Sequence, residues 1–162
     1  VTTLVARLRP AMDFCRLPLS YESGDELVLE LPRILASPNH LVRRHWAALK
    51  RECDAWEQLI YAAVRRRVGL TADAGIHAGI APPASCRMHV AVERIVPARN
   101  FLRDDDNLQF ASKSLLDALT RTRLIVDDSE QWLARERTMQ RIAEDGHART
   151  RVVLWPDVAA AS

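Results

Sequence analysis

Six of the chain's twelve aspartates fall within RDDDNLQFASKSLLDALTRTRLIVDDSE, residues 103 to 130. Carboxylates packed this closely repel one another. The stretch is therefore either a solvated acidic surface or a set of ligands for something positive. Asp104 and Asp106 form a D-x-D step followed by Asn107, and Asp127 and Asp128 form a second group. Carboxylate oxygens suit a hard cation, Mg²⁺ or Mn²⁺. Such a cation offsets the repulsion that otherwise raises carboxylate pKa values in a cluster. Residues 104–128 carry six Asp against Lys113, Arg121 and Arg123, a net of −3, whereas the whole chain is +2. An acidic spot within a basic remainder is expected where a polyanion is drawn toward a metal site.

Other chemistries find little support. There is no Gly-rich phosphate loop, no Ser/His/Asp arrangement and no C-x-x-C pair. The five His are scattered, and His45 and His89 read as structural or surface residues. Cys15, Cys53 and Cys86 are odd in number and unpaired in spacing, which fits reduced structural thiols in a cytoplasmic protein. No apolar run approaches the ~20 residues of a membrane span, and the N-terminus lacks the pattern of a secretory signal. Of the 23 basic residues 21 are Arg, a bias that can reflect genome composition, so Arg count alone carries no weight. Arg65, Arg66 and Arg67 form a charge run at a helix end, where cations favour the helix dipole.

The elements that must position the carboxylates follow from periodicity. At 162 residues the chain suits one domain with a modest core. ELVLELP (26–32) alternates and stops at Pro32, predicting a first strand. From about Leu41 to Val68, Trp46, Leu49, Cys53, Trp56, Leu59, Ile60, Ala63 and Val64 recur at three- and four-residue steps, the mark of a long amphipathic helix. Trp46 and Trp56 fall on one face of it and read as core. CRMHVAVERIV (86–96) alternates, with Met88, Val90 and Val92 on one side, and ends at Pro97. Leu108, Ala111, Leu115, Leu116 and Leu119 form a second helical stripe, starting near Asp106 or Asn107 as N-cap. RLIVDD (123–128) reads as a short buried strand delivering Asp127 and Asp128. If it packs beside the strand ending at Pro97, both acidic groups meet at one sheet edge. WLARERTMQRI fits strand or helix, and ARTRVVLW (148–155) is the closing strand.

The order D-x-D-N at Asp104, Asp106 and Asn107, then Lys113, then DAL at Asp117 to Leu119, then DDSEQ ten residues beyond Asp117, resembles the RusA family of Holliday junction resolvases. LELPRILASPNHLVRRH is similar to that family's opening strand and Asn-containing loop. The resemblance covers roughly residues 26 to 156, leaving an arm (1–25) and a tail (157–162). It implies an α/β (α+β) domain with a small mixed sheet packed with helices. It also implies a homodimeric, Mg²⁺- or Mn²⁺-dependent endonuclease that nicks opposed strands of a four-way DNA junction in recombination and repair. Such a protein works in the cytoplasm, on the bacterial nucleoid or from a phage gene. Carried over, Asp104, Asp106 and Asp128 match the metal-binding aspartates and Lys113 the essential lysine. Asn39, Arg43, Arg44 and Arg103 are the candidate DNA contacts. A junction-binding protein without efficient cleavage, or a metal nuclease on other DNA, are the alternatives.

Two positions depart from the family pattern. Its lysine usually stands four residues after the second aspartate, where this chain has Phe110; Lys113 stands seven after. On an uninterrupted helix seven residues turn about 700°, so Lys113 keeps the direction of Asp106 but lies one turn further along. Alternatively, three extra residues loop out before the helix. Arg123 occupies the place of a common Gly, so the helix end is expected to close differently.

Overall fold

The stretch MHVAVERIV alternates in burial from Met88 to Arg94, stays buried at Ile95 and Val96, and carries the sheet on both of its edges. The computed structural model describes residues 27–36, 46–68, 87–99, 108–109, 111–136 and 138–157. In chain order these form β1 (Leu27–Leu31), α1 (Trp46–Val68), β2 (Met88–Val96), α2 (Lys113–Arg121), β3 (Leu133–Arg135), β4 (Met139–Ile142) and β5 (Arg149–Pro156). The result is a mixed α+β domain with one five-stranded sheet. The N-terminal arm lies outside the described residues.

β2 is central. β5 pairs with it antiparallel, Val90 opposite Leu154, and β1 pairs antiparallel with β5, Leu29 opposite Val152. On the other side β3 and β4 share one position, both parallel to β2, β3 along Met88–Val90 and β4 along Glu93–Val96. Parallel neighbours need a long crossover connection, and α2 lies within it. The ambiguous stretch 132–142 therefore resolves into two short strands.

Strand alternation sends Leu27, Leu29, Leu31, Met88, Val90, Val92, Val152 and Leu154 to one face, where all are buried. Both helices supply that face's core. α1 contributes Cys53, Trp56, Ile60, Tyr61 and Val64, and α2 contributes Leu115, Leu116, Ala118 and Leu119. Leu108 and Ala111 are buried as their stripe predicts. Each fully buried leucine removes enough apolar surface from water to contribute roughly 2 kcal/mol. The opposite face carries polar rows: the His89 ring stacks on Trp155 at 5.1 Å, and Glu93 accepts a hydrogen bond from Arg141 at 2.8 Å.

Trp46 departs from expectation, being 68% exposed. Periodicity places it on the face of Trp56, but α1 has 23 residues against nine in α2. That is about 34 Å against 13 Å. Farther along α1, Glu52 pairs with Arg33.

A second departure concerns residues 123–128, which are not a strand. Leu124 and Ile125 are buried, yet they belong to bends that seal the end of α2. Their apolar character serves the helix terminus rather than a sheet ladder.

Candidate metal and phosphate site

Regular helix begins at Lys113. Ser112 before it keeps a right-handed helical backbone at φ −76, ψ −14. Its carbonyl accepts the Leu116 N–H at 2.9 Å, while its hydroxyl donates to the Gln109 carbonyl at 2.8 Å. Ser112 therefore ties the preceding turn to α2. From this position Lys113 projects outward, with a side chain 68% exposed.

The other end of α2 determines where Asp128 arrives. The Arg123 N–H donates to the Thr120 carbonyl and the Leu124 N–H to the Leu119 carbonyl, both at 3.0 Å. This is a Schellman closure, and its left-handed position is Arg123 at φ 61. The helix thus ends as it would with glycine, correcting the expectation of a different closure. An L-residue with a Cβ costs about 1–2 kcal/mol in that conformation. The buried pair Leu119 and Leu124 is the apolar contact that accompanies such a motif.

Beyond this closure the chain doubles back to Asp127 and Asp128. Asp127 Oδ1 accepts the Ser129 N–H at 2.8 Å. The hydrogen bonds from Ser129 hold the Asp127 carboxyl below its usual range, so this aspartate is engaged in shaping the turn. The Ser129 carbonyl then accepts N–H groups of Trp132 and Leu133, both at 2.9 Å, which leads the chain into β3.

Asp128 meets two cations. Lys113 Nζ lies 3.5 Å from its Oδ2 and 3.3 Å from Asp117 Oδ1. Arg135 Nη2 donates to the same Oδ2 and to the Asp128 main-chain oxygen, each at 3.1 Å. Partial burial opposes the charge on Lys113, but hydrogen bonds and charge from Asp117 and Asp128 outweigh it. The ammonium is held above the ordinary lysine value and stays protonated through the neutral range.

Of the residues singled out by sequence, the structure brings together Lys113, Asp117 and Asp128. Asp104, Asp106, Arg103, Asn39, Arg43 and Arg44 lie outside the described residues, as does the expected N-cap at Asp106 or Asn107. Arg135 is an addition. Its pairing depends on β3 following Asp128 by one short turn, which the ambiguous pattern of 132–142 did not disclose.

Among the described residues, no three His, Cys, Asp or Glu groups gather where they could hold a metal ion. Beside Lys113, Asp117 and Asp128 are described, and each offers oxygen donors of the type a hard cation takes. Two carboxylates from separate segments face a single positive group, and both are oxygen donors. Lys113 and Arg135 both pair with Asp128 Oδ2 and offset its charge.

Among known proteins, no family model matches this chain and no curated protein is significantly similar to it.

Proposed function

We propose that the chain is a Mg²⁺- or Mn²⁺-dependent endonuclease that resolves four-way DNA junctions by paired nicks, as a homodimer. One observation carries the reading. Lys113 bridges Asp117 and Asp128, so three residues of the acidic motif, up to fifteen positions apart, converge. A solvated acidic turn requires no such convergence.

Asp104, Asp106 and Asp128 would hold the cation. Such a cation, when bound, polarises a phosphate oxygen and makes a water more acidic. Lys113 supplies the second component. Its protonated ammonium offers donors to a phosphate oxygen as negative charge develops there, the electrostatic role that usually dominates such chemistry. Arg135 fixes the carboxylate and the backbone of Asp128 together, so the carboxylate has one orientation before DNA arrives. The two-fold symmetry of a four-way junction asks for two such sites, which a C₂ dimer supplies. No described helix is long and apolar enough to cross a membrane, and DNA in the cytoplasm is the proposed partner.

A specific observation also favours a second reading, junction binding without efficient cleavage. Asp128 Oδ2 is shared by Lys113 and Arg135, and a metal must compete with both.

Incubating the protein with labelled four-way junction, linear duplex and flap DNA, with Mg²⁺ or Mn²⁺, separates these readings. Symmetric nicks confined to the junction support resolution. Tight junction binding without nicks supports the second reading. Equal cutting of all three substrates points to a general metal nuclease. A monomer by sedimentation with junction present counts against paired nicking.

A further inference from the structure

Arg135 Nη2 donates to both Oδ2 and the main-chain oxygen of Asp128, each at 3.1 Å. Among the described residues its side chain has no other partner. Seven positions separate the two residues, and the fold closes the gap. The Ser129 carbonyl takes the N–H groups of Trp132 and Leu133, and the Trp132 carbonyl takes the Met88 N–H, all at 2.9 Å. These bonds turn the chain into β3, where Arg135 stands opposite Val90. The Glu136 N–H donates to the Val90 carbonyl at 2.9 Å and pins the strand end. Buried Leu133 and Arg135 are two positions apart, so both point to the helix-covered face. The guanidinium thus starts from sheet backbone and reaches the turn that follows α2.

The two oxygens of the Asp128 carboxylate are not equivalent. Oδ2 accepts Arg135 at 3.1 Å and Lys113 at 3.5 Å. Among the described residues no hydrogen bond or ion pair reaches Oδ1. Competition between a metal and these cations is therefore confined to Oδ2. The cations differ as well. Lys113 has a 68% exposed side chain on a flexible stem and a second carboxylate partner, Asp117, at 3.3 Å. Arg135 grips the carboxylate and the carbonyl of one residue with a planar, pre-organised group. One nitrogen bound to both oxygens of the same residue restricts the torsions that lie between them.

We infer that Arg135 is a positioning residue: it holds Asp128 by Oδ2 and presents Oδ1 to the divalent cation, so that Asp128 ligates through that one oxygen. The inference rests on the metal part of the proposed function, not on DNA binding. It separates two cations that simple electrostatics treats alike. A positive group beside a ligand repels an arriving cation, so by charge alone neutralising either one tightens metal binding. Loss of a hydrogen bond that orients a metal ligand weakens binding instead, by roughly 10- to 100-fold. The two effects have opposite signs at Arg135.

The test is calorimetric titration of the full chain with Mn²⁺, without DNA, for the parent, Arg135→Met, Arg135→Lys and Lys113→Met, beside thermal unfolding. Arg135→Met should bind Mn²⁺ roughly tenfold or more weakly, although a positive charge has gone. Lys113→Met should bind equally or more tightly. Arg135→Lys keeps the charge without the planar fork and should also lose affinity. Unfolding midpoints should stay close to the parent's, because both cations are well exposed. In the metal-free protein, NMR couplings of the Asp128 methylene should report one rotamer in the parent and averaging in Arg135→Met. If Arg135→Met binds Mn²⁺ as tightly as the parent, or tightens in step with Lys113→Met, the positioning role is overturned and the metal reading stands. Should Arg135→Met fail to fold, parental affinity in Arg135→Lys overturns the role equally. A parent protein that takes up no Mn²⁺ overturns both.

Discussion

Lys113 Nζ lies 3.5 Å from Asp128 Oδ2, a contact spanning fifteen positions of sequence. It bears directly on the seven-residue step from Asp106 to Lys113, three longer than in the resolvase pattern that the sequence resembles. A displaced lysine that served only α2 would pair with Asp117 alone, an exposed contact worth a few tenths of a kcal/mol. Reaching Asp128 as well keeps it beside a proposed metal ligand. Lys113→Ala should therefore lower junction cleavage by ~10²-fold or more. Stability should change by less than about 0.5 kcal/mol, because the side chain is mostly exposed. Junction affinity should be nearly unchanged. Parental cleavage rates in this variant would reduce Lys113 to a surface residue.

The carboxylates make a complementary prediction. Asp106→Asn and Asp128→Asn should each abolish cleavage while junction binding survives or tightens, since negative charge facing DNA is removed. Calorimetric titration with Mn²⁺ supplies a readout independent of activity: both variants should lose the heat of binding seen in the parent. A variant that binds Mn²⁺ and cuts as the parent does would remove that residue from the site.

The parts of this structure written into short-range periodicity were readable in advance. β1, β2, β5 and the buried faces of both helices follow from alternation or from three- and four-residue steps, because core burial enforces those periods. Leu124 and Ile125 read as strand in the sequence because a helix closure and a buried strand both demand apolar residues, and a run of three cannot distinguish them. β3 and β4 were ambiguous because three and four residues are too few to display a period. Trp46 shows a further limit: periodicity gives the direction of a side chain, not how far the layer above it extends. In the site, the pairing of Lys113 with Asp117 is local and legible. The pairing of Arg135 with Asp128 depends on tertiary register and is not.

A turn between β4 and β5 offers a test by pH. The Asp145 carboxylate accepts the His147 N–H at 3.0 Å and Arg149 Nη1 on both oxygens at 2.9 Å. The His147 N–H and then Arg149 hold its pKa below the ordinary 3.8. A depressed folded value means that this aspartate's stabilising contribution is complete above 3.8. It is lost as pH falls through the lower folded value. Carboxyl NMR titration should show Asp145 titrating below 3.8 in the parent. In Arg149→Met it should move partway up, because the backbone donor persists. An ordinary titration in the parent would contradict the hydrogen-bonded turn.

The last prediction concerns the pair that anchors α1 to the end of β1. Glu52 is 6% exposed, and Arg33 Nη2 donates to its Oε2; the other carboxylate oxygen has no hydrogen-bond partner among the described residues. The same guanidinium lies 5.4 Å above the ring of the buried Trp56, adding a cation–π contact. A carboxylate removed from water is tolerated only while a cation offsets it, so the two directions of substitution differ. Arg33→Ala leaves the charge buried and uncovers Trp56. Loss of one partner from a fully buried pair costs ~3–5 kcal/mol. The Arg33 side chain is 37% exposed, so screening lowers the expectation to about 2 kcal/mol. Adding Glu52→Leu to Arg33→Ala removes the stranded charge and fills the site with apolar volume, and should recover most of that loss. Denaturant midpoints of the parent, the single variant and the double variant measure both steps. If the double variant is no more stable than Arg33→Ala, then lost packing on Trp56, rather than the unpaired carboxylate, is the origin of the effect.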